Sequence, residues 1–213
     1  MGVNGQTSRS EASRARILAS ATKFFAEKGL DGARVDEIAE DSGINKRMIY
    51  SYFGSKEDLY REVLLRNYES IFDSCKNAFN LNDDPKANIT RAVREYFYFL
   101  ARNPSFVRLS SWEALNRGRS AEKVLPKFND LIELEFDAIL KDAINQKVIK
   151  PDVDIHQVVL SVQALCLTYF NRREIIQPFW NKNMLSEEML ELRLKHILDL
   201  LFNGILKHRE DEV

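Results

Sequence analysis

RVDEIAEDSGINKRMIYSYFGSKEDLY, residues 34–60, is the stretch that decides the fold. Val35, Ile38 and Ala39 recur at the spacing of one face of a short helix, and Gly43 is placed to end it, because glycine enters the left-handed conformation without a Cβ penalty. Ile44, Ile49 and Phe53 then return to the same core from a second short helix. That leaves the opposite face of the second helix free. It carries Asn45, Lys46, Arg47, Met48, Ser51 and Tyr52, a mixture of hydrogen-bonding, cationic and aromatic groups suited to base edges and phosphates. Two helices across a tight turn, with such a face exposed, predict a helix-turn-helix.

Preceding this unit, Ile17, Leu18, Ala21, Phe24 and Phe25 predict a bracing helix from about Glu11 to Lys28, stopped by Gly29. Residues 1–10 are expected to form a flexible polar arm, since MGVNGQTSRSEASR lacks the apolar core of a secretion signal. After the unit, Ser55 is a candidate N-cap for a helix that continues through Leu64, Tyr68, Ile71 and Phe72 to about Phe79.

Gly43, the aromatic run Tyr50-Ser51-Tyr52-Phe53 and the helix entry Ser55-Lys56-Glu57-Asp58-Leu59, with Ala21, Phe24, Phe25, Gly29, Ile38 and Ala39 before them, resemble the TetR/AcrR family of bacterial transcriptional repressors over roughly the first 60 residues. Two positions depart from the family's habit. Arg34 stands where Thr often caps the second helix, and Arg47 and Met48 stand where a small residue and Thr often open the recognition helix. Arg34 gives up a good cap oxygen; it either reaches a phosphate or is an exposed side chain of no consequence. Arg47 can grip the O6/N7 edge of guanine, or else contact a phosphate or solvent. Tyr52 and Lys56 are candidates for phosphate contact, Asn45, Lys46, Arg47 and Ser51 stand nearest the base edges, and Met48 is a further DNA-binding candidate on the same face. Tyr50 either packs its ring inward while its hydroxyl touches backbone, the preferred reading, or reads a base.

Charge is compatible with this reading once its distribution is considered. The 213-residue chain has a formal net charge of −1, which argues against a protein that coats nucleic acid without regard to sequence. Residues 1–60 hold nine Lys/Arg and nine Asp/Glu, yet Gly43 to Lys56 contains three cations and no acid. Arg9, Arg14 and Arg16 are expected to add to this positive face.

The remainder reads as helix, so the expected class is all-α, with about nine helices. Asn80 to Asp84 and Pro85 mark a break before a fifth helix holding Ile89, Val93, Tyr96, Phe97 and Leu100. Asn103-Pro104 opens a sixth, through Phe106, Leu109, Trp112 and Leu115, closed by Gly118. A long seventh is expected from about Ser120 to Gln146. The last two, about Asp154 to Phe170 and Ser186 to Lys207, carry apolar residues on more than one face, as a subunit interface or a broad intramolecular core requires. The expected domains are therefore a helix-turn-helix DNA-binding domain at 11–56 and a helical effector-binding and dimerisation domain at 57–213.

The resemblance implies that the last two helices pair across a homodimer and that the body binds a small-molecule effector that releases the protein from its operator. Candidate effector contacts are Tyr96, Phe99, Phe106, Trp112, Phe136, Tyr169 and Phe170, with Glu113, Asn116, Asn171 and Arg172 as polar anchors, pointing to a mainly apolar or aromatic ligand. Each aromatic is also a plausible core residue.

Other function classes find little footing. No nucleophile with a base and no phosphate-binding glycine loop stands out, and Glu113 is an isolated acid, so no enzyme is expected. A helical adaptor acting through protein contacts is the alternative function, against which the cationic recognition helix argues. Cys75 and Cys166, far apart and outside any CxxC, read as small buried hydrophobes, and His156, His196 and His208 have no metal-ligand spacing. No cofactor or metal is expected. Without an apolar run near ~18 residues there is no membrane span, and the expected address is cytoplasmic.

Overall fold

Helices begin and end in this chain where local chemistry dictates. The computed structural model describes the backbone of residues 3–76, 83–128 and 141–205, with side chains from residue 9 onward except 75–76 and 205. Its element order is α1 (Val3–Gly32), α2 (Val35–Ser42), α3 (Lys46–Phe53), α4 (Lys56–Lys76), α5 (Pro85–Arg102) and α6 (Pro104–Leu115), then two 3₁₀ turns (Ala121–Lys123 and Leu125–Phe128), then α7 (Ile155–Asn171), α8 (Arg173–Trp180) and α9 (Glu187–Ile205). No β-strand occurs among the described residues.

The chain divides into two compact units: Met1–Glu69 with Ser105–Pro126, and Ser70–Pro104 with Lys127–Val213. The first boundary falls within α4 and the second near the start of α6. In the first unit Ile17, Ala21, Phe25, Ile38, Ile49, Leu59, Tyr60 and Val63 are buried at 2% exposure or less, drawing on α1 to α4 together. Phe25 and Tyr60 meet edge-on at 5.0 Å, a geometry that adds about 0.5–1.5 kcal/mol to their burial. From α6, Phe106 and Leu109 join this unit, and Phe106 meets Tyr68 edge-on at 5.7 Å.

In the second unit α5 is started by Asp84, whose carboxylate accepts from Ala87 N at 2.9 Å, with Pro85 in the first turn, where its missing N–H costs nothing. Asp154 caps α7 in the same way, accepting from His156 N at 2.8 Å. Phe97 lies 5.0 Å from Phe170 and 5.9 Å from Tyr169, and the Tyr169 hydroxyl donates to Met184 O at 2.7 Å. From α9, Leu194 and Ile197 are fully buried. Cys166 is buried as expected, and burial pushes its thiol up to about 12; the side chain of Cys75 lies outside the described residues.

Three expectations need correction. Residues 3–10 are helical, so α1 replaces most of the predicted arm; once a helix is nucleated, each added residue costs little, and helix ends are the least legible part of a sequence. The expected stop at Gly29 is present as a break inside the run, with φ +68. The long seventh helix does not start at Ser120. Residues 121–123 and 125–128 form 3₁₀ turns, and Pro126, without an N–H, removes a donor that a continuous α-helix through it would need; residues 129–140 of that prediction, Phe136 included, lie outside the described residues. Finally, α8 is an additional short helix, hidden from the periodicity by Pro178 inside it.

Candidate nucleic-acid interface

The reading unit is assembled by caps more than by length, since α2 and α3 have eight residues each and would not persist as isolated helices. Gly43 ends α2 at φ 66, ψ 23, and its N–H bonds the Ala39 and Glu40 carbonyls. Asn45 starts α3: its Oδ1 accepts from Met48 N at 2.9 Å. Arg34, at the N-cap of α2, makes no side-chain cap bond, as its substitution for a hydroxyl residue predicts. Ser55 caps α4 through a reciprocal pair, in which Asp58 N donates to Ser55 Oγ at 3.0 Å and Ser55 Oγ donates to Asp58 Oδ2 at 2.5 Å.

Two arginines complete the ends. Arg16 Nη2 donates to Ser42 O at 2.5 Å, at the C-terminus of α2. Arg14 Nη1 donates to Tyr52 O at 3.1 Å, at the C-terminus of α3, and its guanidinium lies 4.7 Å from the Phe53 ring centroid. Each cation thus sits where the helix dipole is negative and carbonyls lack an intrahelical partner. Both belong to α1 and hold α2 and α3, a role that the expectation of added positive charge on the DNA face did not contain. Only their distance in sequence from Ser42 and Tyr52 hid the role.

The buried side of α3 is Ile49, 2% exposed, and Phe53, 9%. Opposite them Asn45, Lys46, Arg47, Met48, Tyr50 and Ser51 are exposed, and Tyr52 and Lys56 are half-buried. Arg34 is exposed as well. The structure therefore brings all the sequence-predicted DNA-facing positions to the first unit, with one change of orientation. Tyr50, expected to pack inward, is 40% exposed, because Ile49 and Phe53 already fill the inward positions and Tyr50 is turned about 100° from Ile49.

These side chains differ in what already engages them. Lys46 Nζ lies 2.9 Å from the carboxylate of Asp36 on α2, which holds the ammonium's pKa above its ordinary value. Lys56 Nζ donates to Asp31 O at 3.3 Å. Arg47 has no hydrogen bond or ion pair among the described residues and is free to reach a base or a phosphate.

The candidate effector contacts are distributed between the two units. In the first, Trp112 Nε1 donates to Ala26 O at 3.2 Å, and the buried Glu113 carboxylate accepts from Ser120 N at 3.1 Å and Ala121 N at 2.7 Å. Beside Glu113, burial and the nearby carboxylate push the Tyr60 hydroxyl far above its ordinary pKa. Asn116 is exposed. In the second, Phe99, Tyr169 and Phe170 are buried, Tyr96 is half-buried, and Asn171 and Arg172 are exposed at the end of α7. Two further residues, not among the candidate contacts, take part there. Phe97 is the ring that joins Tyr169 and Phe170, and Glu191 on α9 ties to α5 by accepting from Arg94 at 2.7 Å and from the Tyr98 hydroxyl at 2.5 Å. No helix among the described residues is long and apolar enough to cross a membrane, and no group of three metal-ligating side chains occurs among them.

Comparison with known proteins agrees with this architecture. Residues 17–63 match the family model described as bacterial regulatory proteins, tetR family, and residues 85–201 match the one described as tetracyclin repressor-like, C-terminal domain. Over 211 residues the chain is 29% identical to the HTH-type transcriptional repressor NicS of Pseudomonas putida, covering 96% of each. It is 33% identical over 108 residues to the HTH-type transcriptional repressor SCO4008 of Streptomyces coelicolor, 51% of this chain and 53% of that one. Among solved structures, a TetR family transcription regulator from Marinobacter aquaeolei aligns with a TM-score of 0.72 at 15% identity, covering 95% of this chain and 100% of the other. The ketosteroid transcriptional regulator KstR2 of Mycobacterium tuberculosis aligns at 0.68 and 19% identity, covering 92% and 95%; at these identities both likenesses show the fold alone.

Proposed function

Because the chain belongs to the tetR family of bacterial regulatory proteins, matched in both its N-terminal and C-terminal segments, we propose that it is a cytoplasmic, homodimeric repressor of transcription whose paired α3 helices read a pseudo-palindromic operator. The observation that carries this reading is the α2–Gly43–α3 unit, rigidly capped on its inner side and presenting Arg47, Met48, Tyr50 and Ser51 to solvent on its outer side. In the assignment proposed here, Asn45, Lys46, Arg47, Met48 and Ser51 approach base edges, while Arg34, Tyr50, Tyr52 and Lys56 approach phosphates and set the register.

Exposed apolar side chains support pairing of the C-terminal helices. Leu160 on α7 is 59% exposed, and Leu192 and Leu200 on α9 are 59% and 49% exposed. On α8, which has no buried residue, Phe179 is 84% exposed. Apolar residues this frequent on sequential helices are costly in water and mark a contact surface. A two-fold dimer brings two short recognition helices onto successive turns of one face of the duplex, which a single eight-residue helix cannot match in affinity.

The effector proposed for the body is a small, mainly apolar or aromatic molecule, and the candidate contacts described within the second unit are Tyr96, Phe99, Tyr169, Phe170 and Arg172. Such a ligand releases DNA only if it binds more tightly to the arrangement that DNA disfavours, and linkage then makes operator DNA weaken the ligand equally.

Selection of bound sequences from a random duplex pool tests the reading. The expected result is an enriched inverted repeat with half-sites about one helical turn, ~34–36 Å, or a multiple of it apart. A folded, dimeric sample that enriches nothing, in the absence of any effector, overturns the DNA reading in favour of an adaptor acting through protein contacts.

A further inference from the structure

We propose that Asp36 is a specificity-determining residue, which lowers the protein's affinity for non-operator DNA by engaging Lys46 in an ion pair on the outer side of the reading unit. The inference rests on the reading of α3 as the DNA-facing helix. Its own observation is the pair itself: Lys46 opens α3, Asp36 lies in the first turn of α2, and their charged atoms are 2.9 Å apart.

Position and exposure give the pair its consequence. Between Gly43 and Lys56 the cations are Lys46, Arg47 and Lys56. Arg47 is unengaged and Lys56 touches only a backbone carbonyl, so Lys46 is the one cation of this segment already neutralised by a carboxylate among the described residues. Sequence-independent binding is driven by counterions released as cations meet phosphates, so a neutralised lysine contributes little to it. With the side chains of Lys46 and Asp36 47% and 71% exposed, a phosphate can reach the pair. It then meets both a cation and an anion. Hydrogen bonds to base edges, by contrast, need no net charge at this position, and Asn45, Arg47 and Ser51 remain available to make them. Tyr50, one helical turn after Lys46, flanks the pair on α3.

The test uses the full-length protein and a duplex of scrambled sequence, with affinity measured across roughly 0.05–0.2 M monovalent salt. Asp36→Asn keeps the shape of the side chain and frees Lys46. The expected result is a salt slope steeper by about 1 and an affinity about fivefold to tenfold higher near 0.1 M, the effect of one added phosphate contact. In a Lys46→Gln background the same Asp36→Asn change is expected to leave the slope unaltered. Asp36→Ala, a second route to the same release, should behave as Asp36→Asn does. Unchanged slope and affinity in a folded Asp36→Asn protein overturn the inference. So does an equal steepening with and without Lys46, which would make Asp36 a merely repulsive charge. If the unmodified protein itself binds without salt dependence, the DNA reading fails and takes the inference with it; if it binds with normal salt dependence and the variants match it, the inference alone fails.

Discussion

Trp112 lies across Gly29 so closely that a Cβ built on Gly29 would stand 2.9 Å from Trp112 Cδ2. Gly29 also has φ +68, which L side chains avoid, and Trp112 Nε1 donates to the Ala26 carbonyl one turn earlier. A single glycine therefore both ends the regular part of α1 and gives the indole of α6 its seat. Two independent reasons, one conformational and one steric, demand glycine at the same position.

Gly29→Ala should accordingly destabilise the protein by about 2–4 kcal/mol, the positive-φ, extended-ψ backbone costing of order 1–3 and the indole clash the rest. Denaturant unfolding monitored by tryptophan fluorescence measures it. A loss smaller than about 0.5 kcal/mol would mean that the indole moves aside freely.

Arg16→Ala should cost about 1–3 kcal/mol, since the carbonyl of Ser42, a residue 4% exposed, loses a charge-assisted donor. Thermal unfolding reads the loss. Operator affinity well below the transition should change little, because the side chain is already engaged in supporting α2 from α1.

Lys56→Ala and Arg47→Ala should separate position from readout. The first is expected to weaken all sequences alike and reduce the salt slope by about 1. The second should relax preference at one base pair, at a cost of about 1–3 kcal/mol there. Affinities measured against a panel of single-base operator variants distinguish the two patterns, and an Arg47→Ala protein with unaltered preference removes Arg47 from the readout.

Glu113→Ala should cost about 2–4 kcal/mol, because it leaves the amides of Ser120 and Ala121 without their acceptor in a site where Glu113 is 4% exposed. Glu113→Gln, which keeps one acceptor oxygen, should recover part of that loss. Equal stability of the two variants would show that the carboxylate's hydrogen bonds contribute nothing.

Acid should weaken the tie between α5 and α9. Arg94 and then Tyr98 hold the Glu191 carboxyl below its ordinary pKa of 4.5, so the unfolded chain takes up a proton on this group before the folded one does. The stabilisation is thus fully present above pH ~4.5 and is lost as pH falls through the lower folded value. With Glu191 45% exposed, solvent screening limits it to less than about 1 kcal/mol. Chemical unfolding at neutral pH and near pH 3 checks this: Glu191→Gln should be less stable than the unmodified protein at neutral pH and lose that deficit in acid.

Much of the reading unit is legible in the amino-acid sequence. Gly43, Ser55, Ile38, Ile49 and Phe53 act through signals confined to a few neighbouring residues: a left-handed turn, an N-cap hydroxyl, an apolar stripe at helical spacing. Where neighbouring signals conflict, legibility ends. Pro126 and Pro178 lie in apolar periodic runs, and the runs conceal the 3₁₀ turns at 121–123 and 125–128 and the separate helix α8. Tyr50 points outward against expectation because an aromatic side chain carries no mark of inside or outside until its neighbours have claimed the core.

The sequence by itself determined a helical chain with a capped helix-turn-helix near its N-terminus and a face of polar and cationic groups on its second helix. Tertiary structure alone decided which of those charges are spoken for. Arg14 ends on Tyr52, 38 residues away, Arg16 on Ser42, 26 away, and Lys46 on Asp36, ten residues earlier across the Gly43 turn. Helix propensity and capping act over one or two turns, so a sequence displays them. A charge pairs with whatever the packed core carries within a few ångströms, and that partner is set only once α1, α2 and α3 have buried their apolar faces against one another.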